Sequence, residues 1–166
     1  AGERYNVLPK EVVLEGTVRT LGEAVRQEIP TRMKRVLEGV AQAHGGQFDL
    51  KYHFGYPGLN NWEEPTSIFT QAAQNLLGES DVHTNLAPAL GGEDFARYLT
   101  RIPGAFLWLG CSSIDREQHP LHNSRFDIDE NCLLTGAVLM YRTALDALSY
   151  YQNHASQRRD AARLYA

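Results

Sequence analysis

The first 57 residues contain only two segments with the pattern of a β-strand, and this shortage limits what the chain can fold into. Residues 11–19 alternate between apolar and other side chains, and residues 47–54 alternate again, as half-buried strands do. Between them, apolar residues recur at helical spacing from Val25 to Val40, which predicts an amphipathic helix. Because two strands are only marginally stable alone, the pattern predicts a strand–helix–strand unit whose sheet needs strands from elsewhere.

The predicted helix has signals at both ends. Thr20 and Glu23 have the spacing of a capping box, which predicts that the helix begins here. The pair Gly45-Gly46 is typical of a helix end. Pro30 lies inside the pattern and cannot donate to the helical hydrogen-bond ladder, so we expect a kink at that residue.

The remainder of the chain alternates helical and extended patterns. A segment rich in glycine, proline and asparagine, residues 55–65, predicts a linker or domain crossing. The elements predicted after it are a helix over 64–77, one or two helical turns over 93–99, a buried strand over 104–110 and a final helix beginning at Asp129. This order predicts an α/β or α+β fold in two segments, with a polar tail over 152–166.

Composition excludes several classes of protein. The 166 residues are 43% hydrophobic and 22% charged, with a net charge of −4, as in a globular protein. Without a basic patch there is no reason to expect nucleic acid as a partner, and no apolar run is long enough to cross a membrane. Cys111 and Cys132 are too few and too far apart for a disulfide framework. We therefore expect two reduced cysteines and a cytoplasmic location.

Two parts of the first hundred residues could carry chemistry. The sequence GGEDF, residues 91–95, combines two glycines, which allow close approach of a ligand, with Glu93 and Asp94. The alternative is an ordinary helix start, at which both acidic side chains favour the helix dipole. Arg19, at the end of the first predicted strand, could bind a carboxylate through its planar guanidinium, or could be a solvated arginine at a strand end.

A polar loop supplies the third candidate. His119 and His122 both lie in the sequence HPLHNSRFD, which follows the predicted strand over 104–110. Loops that leave the strand ends of an α/β sheet often carry functional groups. The remaining histidines stand singly, as surface or hydrogen-bonded histidines do.

Four segments together resemble one family: YNVLPKEVVLEGTVRT, GGEDF, PGAFLWLG and PLHNSRFDIDENCLLTGAVLMYRTAL. They occur in the order in which the aminoacylase/carboxypeptidase-type metallo-amidohydrolases carry them. That family includes N-acyl-amino-acid amidohydrolases, hippurate hydrolases, auxin-conjugate hydrolases and thermostable carboxypeptidases. The resemblance covers the chain from its first residue to about residue 150.

The resemblance implies a two-domain arrangement. Residues 1–57 would be the second β-α-β half of a ferredoxin-like lid and dimerisation domain. Residues 58–151 would be the C-terminal part of a catalytic α/β domain of the di-metal aminopeptidase type. Homodimerisation through the lid and an N-terminal half of the same enzyme are the implied partners.

Roles for individual residues also follow from the resemblance. His122 matches a metal-ligand histidine, and Asn6 and Arg19 match lid residues that hold the substrate. Gly91 and Gly92 match the glycine turn beside the substrate. Glu93, Asp94 and His119 receive no definite role.

The activity implied is hydrolysis of the amide bond of N-acyl amino acids or small peptides by a water activated by two divalent ions, such as zinc, manganese or cobalt. The other metal ligands and the glutamate that acts as general base match nothing in this sequence, so no catalytic residue is expected in it. We therefore expect this chain to be the C-terminal portion of such an enzyme and inactive alone. The alternatives are a non-catalytic lid-type dimerisation or docking module, and an enzyme whose two halves are separate chains.

Overall fold

The computed structural model describes residue 2, residues 4–113 and residues 115–164, with side chains up to residue 154. Its helices are α1 (Glu23–His44), α2 (Glu63–Leu77), α3 (Ala96–Leu99) and α4 (Asn131–Leu164), and a 3₁₀ turn covers Glu79–Asp81. The chain divides into two compact units. Unit 1 comprises Ala1–Gly58 and Pro88–Gly92, and unit 2 comprises Leu59–Ala87 and Glu93–Ala166.

Helix α1 is the main element of unit 1. It is continuous through Pro30, and it ends at Gly45, whose φ of 66° is the left-handed value that glycine accepts without strain. The predicted capping box is wrong, because the N-cap residue is Gly22 and no side chain caps the helix. Thr20 therefore lies two residues before the position from which its hydroxyl could cap the first turn.

The segments predicted as strands do not form a sheet. Neither residues 11–19 nor residues 47–54 enter a β-ladder, and no ladder occurs elsewhere in the described ranges. Val12 and Val13, which point to opposite faces of an extended segment, are 58% and 69% exposed, so neither face of the first segment is covered. A strand needs a neighbour for its hydrogen bonds, and in unit 1 the two segments do not pair with each other.

Unit 2 has a hydrophobic core between α2 and α4. Phe69, Ala72 and Ala73 of α2 are buried together with Leu139 of α4. The two small alanines on α2 permit close approach of the facing helix. The predicted helix over 64–77 is therefore confirmed.

Asn61 and Trp62 fasten the segment 104–106 to the start of α2. The Asn61 side chain donates to the Phe106 carbonyl at 2.7 Å and accepts from the Phe106 N–H at 2.8 Å. The Trp62 N–H donates to the Gly104 carbonyl at 3.0 Å, and its indole donates to the Leu99 carbonyl at 2.9 Å. The sequence predicts a strand over 104–110. In the structure this segment is instead held at Phe106 by hydrogen bonds to the Asn61 side chain.

The predicted final helix is confirmed, with its first residue at Asn131. The Asp129 carboxylate accepts from the Asn131 N–H at 3.0 Å, which satisfies one of the free donors at a helix start. The helix continues through the predicted polar tail to Leu164, and residues 165–166 lie outside the described residues. Within the described residues, no helix has the length and apolar character that a membrane span requires.

Candidate functional site

Arg19 and Gly92, both predicted to contact substrate, lie together in unit 1. A Cβ atom placed on Gly92 would lie 3.0 Å from Nη1 of Arg19 and 3.7 Å from Cδ2 of Tyr56. The Arg19 side chain is exposed, and within the described part of the chain it has no hydrogen-bond or ion-pair partner. An exposed guanidinium without a partner can donate two parallel N–H···O bonds to one carboxylate.

The two glycines of the GGEDF sequence have different surroundings. A Cβ on Gly91 would meet no atom within 4 Å, whereas a Cβ on Gly92 would crowd the Arg19 guanidinium. Neither glycine has a positive φ. The structure thus gives a steric reason for glycine at position 92 and none at position 91.

Asn6 is not brought to this point. It lies in a turn in which the Val7 N–H approaches the Arg4 carbonyl at 3.4 Å, and its side chain is exposed. Among the described residues other than the chain neighbours of Gly92, only Arg19 and Tyr56 come within 4 Å of its Cβ position. The substrate-binding role predicted for Asn6 therefore has no geometric support within unit 1.

Glu93 and Asp94 belong to the turn before α3. The Glu93 carboxylate accepts from the Phe95 N–H at 3.2 Å, and the Asp94 carbonyl accepts from the Arg97 N–H at 2.9 Å. These bonds are those of a helix start, which was the alternative interpretation of this sequence.

His122 occupies an unusual backbone position in unit 2. Its φ is 69°, the one positive value among described residues other than glycine. The Asn123 N–H donates to the Pro120 carbonyl at 3.1 Å, so His122 is the third residue of a β-turn, where type II turns require positive φ. A non-glycine residue held there is a recognised sign of a functional position. The imidazole is exposed and has no hydrogen bond within the described residues.

His119 has a local partner. Its Nε2 lies 3.7 Å from the Glu117 carboxylate, and Arg125 approaches the same carboxylate at 3.5 Å. A second pair joins Arg116 to Asp127 at 2.9 Å. The arginines and carboxylates are largely exposed, so each arginine–carboxylate pair stabilises the loop by about 1 kcal/mol at most.

The residues present do not make a metal centre by themselves. Among the described residues, no group of three or more His, Cys, Asp or Glu side chains is placed to hold a metal ion. A catalytic zinc site has about three protein ligands plus water. His122 therefore could supply one ligand of such a centre but not the whole of it.

Sequence analysis missed Tyr56, because residues 55–65 were interpreted only as a linker. Its backbone is held through its neighbour: Arg26 donates to the Gly55 carbonyl at 2.8 Å and lies over the Phe54 ring at 4.8 Å. An aromatic residue two positions after the strand-like segment over 47–54 was the available signal. Tyr56 lies near Gly92 because of contacts between residues that are far apart in the sequence.

Comparison with known proteins identifies the family. The model of Peptidase family M20/M25/M40 matches residues 7–146. This chain belongs to that family. The resemblance to aminoacylase/carboxypeptidase-type enzymes is thereby confirmed.

Three curated relatives and one solved structure illustrate the similarity. The N-acetylcysteine deacetylase of Bacillus subtilis is 38% identical over 133 residues, which are 80% of this chain and 33% of the relative. The N-acetyldiaminopimelate deacetylase of Leuconostoc citreum is 36% identical (81% of this chain, 34% of the relative). Thermostable carboxypeptidase 1 of Saccharolobus solfataricus is 29% identical (83% and 35%). The crystal structure of a protein described as an aminohydrolase, from methicillin-resistant Staphylococcus aureus, matches with a TM-score of 0.60 and 29% identity, over 75% of this chain and 32% of that one. The chain thus spans about a third of the length of these relatives.

Proposed function

We propose that the protein to which this chain contributes is a metal-dependent amidohydrolase that cleaves N-acyl amino acids or small peptides. The relatives named as deacetylases of acetylated amino acids and as a carboxypeptidase support this substrate class. Such substrates carry a free carboxylate beside the bond that is cleaved. Recognition of that carboxylate is the part of the reaction that this chain supplies.

The observation that carries the proposal is the exposed Arg19 guanidinium against the backbone of Gly92. Arginine binds a carboxylate through two parallel N–H···O bonds, which fix orientation as well as charge. The absence of a side chain at position 92 leaves room for the guanidinium itself, because a Cβ atom there would lie 3.0 Å from Nη1 of Arg19. When bound substrate covers the guanidinium and buries the pair, losing this contact costs about 2–5 kcal/mol of binding free energy, so Arg19→Ala should raise KM strongly.

His122 is proposed as one ligand of a centre that holds two divalent ions such as zinc, manganese or cobalt. The exposed imidazole on a strained turn supports this role. The other ligands and the general base would come from residues outside this chain, since the described residues contain no three-donor group. The chain alone is then inactive.

The same reasoning assigns the two segments. Residues 1–57 are proposed as the second half of a ferredoxin-like lid that also forms a homodimer, and residues 58–151 as the C-terminal part of the catalytic α/β domain. The uncovered segment over 11–19 supports this, because its apolar side chains suit strands contributed by the rest of a lid. Substrate, second subunit and the remaining part of the enzyme are the proposed partners.

The decisive experiment compares His122→Asn with His83→Ala in the complete enzyme. Asparagine tolerates the positive φ of position 122, so His122→Asn removes the imidazole with little effect on the turn. We expect turnover of N-acyl amino acids to fall at least about 100-fold, because even partners behind a metal ligand contribute 10- to 100-fold. Metal content should fall with it.

His83→Ala serves as the matched control, because His83 is an exposed histidine of the same unit. It should retain both activity and metal. Unchanged turnover and metal content in His122→Asn would refute the ligand role.

The non-catalytic module remains the second candidate, favoured by the lack of a three-donor group among the described residues. The same assay separates the two. A complete protein that hydrolyses no N-acyl amino acid or peptide with any of the three metals would support the module.

A further inference from the structure

The surroundings of Gly92 contain a residue to which no role has been assigned. Tyr56 approaches the Cβ position on Gly92 to 3.7 Å, and Arg19 approaches the same point to 3.0 Å. A contact of 3.0 Å is already tighter than nine in ten that real Cβ atoms make. The tyrosine ring and the guanidinium therefore border the same small space above the Gly92 backbone.

The position of Tyr56 is itself fixed from α1. Arg26 donates to the carbonyl of the preceding residue, Gly55, at 2.8 Å, and pairs with Glu23 at 2.9 Å. The Arg26 side chain is only 16% exposed. A largely buried arginine with two hydrogen-bond partners is a firm anchor, so the backbone next to Tyr56 is held in place by α1.

We propose that Tyr56 is a positioning residue for Arg19, whose ring limits the guanidinium to the space left open by the missing side chain of Gly92. An exposed arginine side chain samples many rotamers, and a ligand that fixes it must overcome that loss of freedom. The Tyr56 ring on one side and the Gly92 backbone on the other reduce the number of rotamers open to Arg19 before the ligand binds. Affinity for a carboxylate then rises through preorganisation. The effect of Tyr56 on substrate binding rests on the proposed function. The ordering of Arg19 by Tyr56 does not.

The first test measures ordering in the 166-residue chain itself. ¹⁵N relaxation of the Arg19 Nε–H group should show a side chain more rigid than that of Arg35, which is exposed and makes no hydrogen bond or ion pair among the described residues. Tyr56→Ala should make Arg19 mobile on the nanosecond timescale, and Tyr56→Phe should leave it ordered. Arg19 equally mobile in the parent chain and in Tyr56→Ala, or loosened as much by Tyr56→Phe, would overturn the inference.

The second test measures the consequence in the complete enzyme. We compare an N-acetyl amino acid with its α-carboxamide, which lacks the negative charge. Tyr56→Ala and Gly92→Ala should raise KM for the carboxylate substrate about three- to tenfold, the range expected for one immobilised side chain. The kcat for this substrate and the KM for the carboxamide should change little, since a merely structural defect would affect both substrates equally.

Gly46→Ala is the matched control for Gly92→Ala. It is the same substitution in unit 1, at a glycine whose Cβ position has no atom of another described residue, chain neighbours aside, within 4 Å and whose φ is not positive. Equal effects of Tyr56→Ala on the two substrates would overturn the inference. Ordering of Arg19 by Tyr56 in a protein without hydrolase activity would instead refute the proposed function and leave the positioning role standing.

Discussion

Glu23, in the first turn of α1, receives hydrogen bonds from two side chains of the same helix. Gln27 donates to its carboxylate, and Arg26 donates to it at 2.9 Å. The bond from Gln27 lowers the pKa of Glu23 below its ordinary value of 4.5; desolvation opposes this effect, and the bond and charge of Arg26 add to the lowering. Because the pKa is lowered in the folded chain, Glu23 stabilises the helix above about pH 4.5, and this contribution disappears as pH falls through the lowered value.

Gln27→Ala should therefore raise the pKa of Glu23 toward 4.5. Glu28 is the internal control, since its own pKa is lowered by a hydrogen bond from Arg32 and does not depend on Gln27. The measurement is an NMR titration of the side-chain carboxyl carbons in both chains. A Glu23 pKa that does not move, or a Glu28 pKa that moves as far, would contradict the assignment of the shift to Gln27.

Individual site residues differed in how far sequence could locate them. Arg19 and Gly92 were both predicted to contact substrate, and the structure places them side by side. Tyr56 could not be found in the same way, because its position follows from the bond between Arg26 and the Gly55 carbonyl. That bond joins residues 29 positions apart, a distance over which sequence patterns carry no information about contact.

At the scale of elements, α4 has a buried side and an exposed apolar side. Leu139 is 4% exposed and belongs to the core with α2, whereas Leu134 is 72% exposed. Both are leucines of one helix, so they share the same helix propensity. A difference between their Leu→Ala variants in the free energy of unfolding therefore reports tertiary packing.

Leu139→Ala should lower the free energy of unfolding of this chain by about 2–5 kcal/mol, because it removes buried atoms and leaves a cavity. Leu134→Ala should change it by less than about 0.5 kcal/mol. Urea denaturation followed by circular dichroism measures both. Similar losses in the two variants would mean that the contact between α2 and α4 does not stabilise unit 2.

The helices were predictable and the strands were not, for a physical reason. The hydrogen bonds of α1 and α2 join residues four apart, so an apolar stripe and a terminal glycine are sufficient to define them. The alternating pattern over residues 11–19 is equally clear, yet its hydrogen bonds must go to another strand. Alternation therefore indicates a strand-forming segment without supplying its neighbour.

At the scale of the whole molecule, many large apolar side chains lie outside the hydrophobic core and are exposed. Helix α1 has no buried residue, and Met140 and Tyr141 of α4 are 65% and 66% exposed. Large uncovered apolar surfaces mark interaction sites. The chain spans about a third of its relatives' length, and we propose that the remainder of the enzyme covers these surfaces.

Metal binding tests this view of the molecule directly. The described residues contain no group of three metal-ligating side chains, and a lone imidazole such as that of His122 binds a divalent ion weakly, because a stable centre needs several ligands at once. Calorimetric titration of zinc or manganese into the 166-residue chain should therefore show no tight stoichiometric site.

The complete enzyme should bind the same ions tightly, and His122→Asn should weaken that binding. Both proteins contain His122 in the same turn. Tighter metal binding by the complete enzyme would therefore show that the remaining ligands lie outside the 166-residue chain. If the 166-residue chain bound zinc tightly at one equivalent and His122→Asn abolished that binding, then this chain would build a centre from its own residues. The exposed apolar faces would in that case need another explanation, because a site complete within unit 2 would require nothing from the rest of the enzyme.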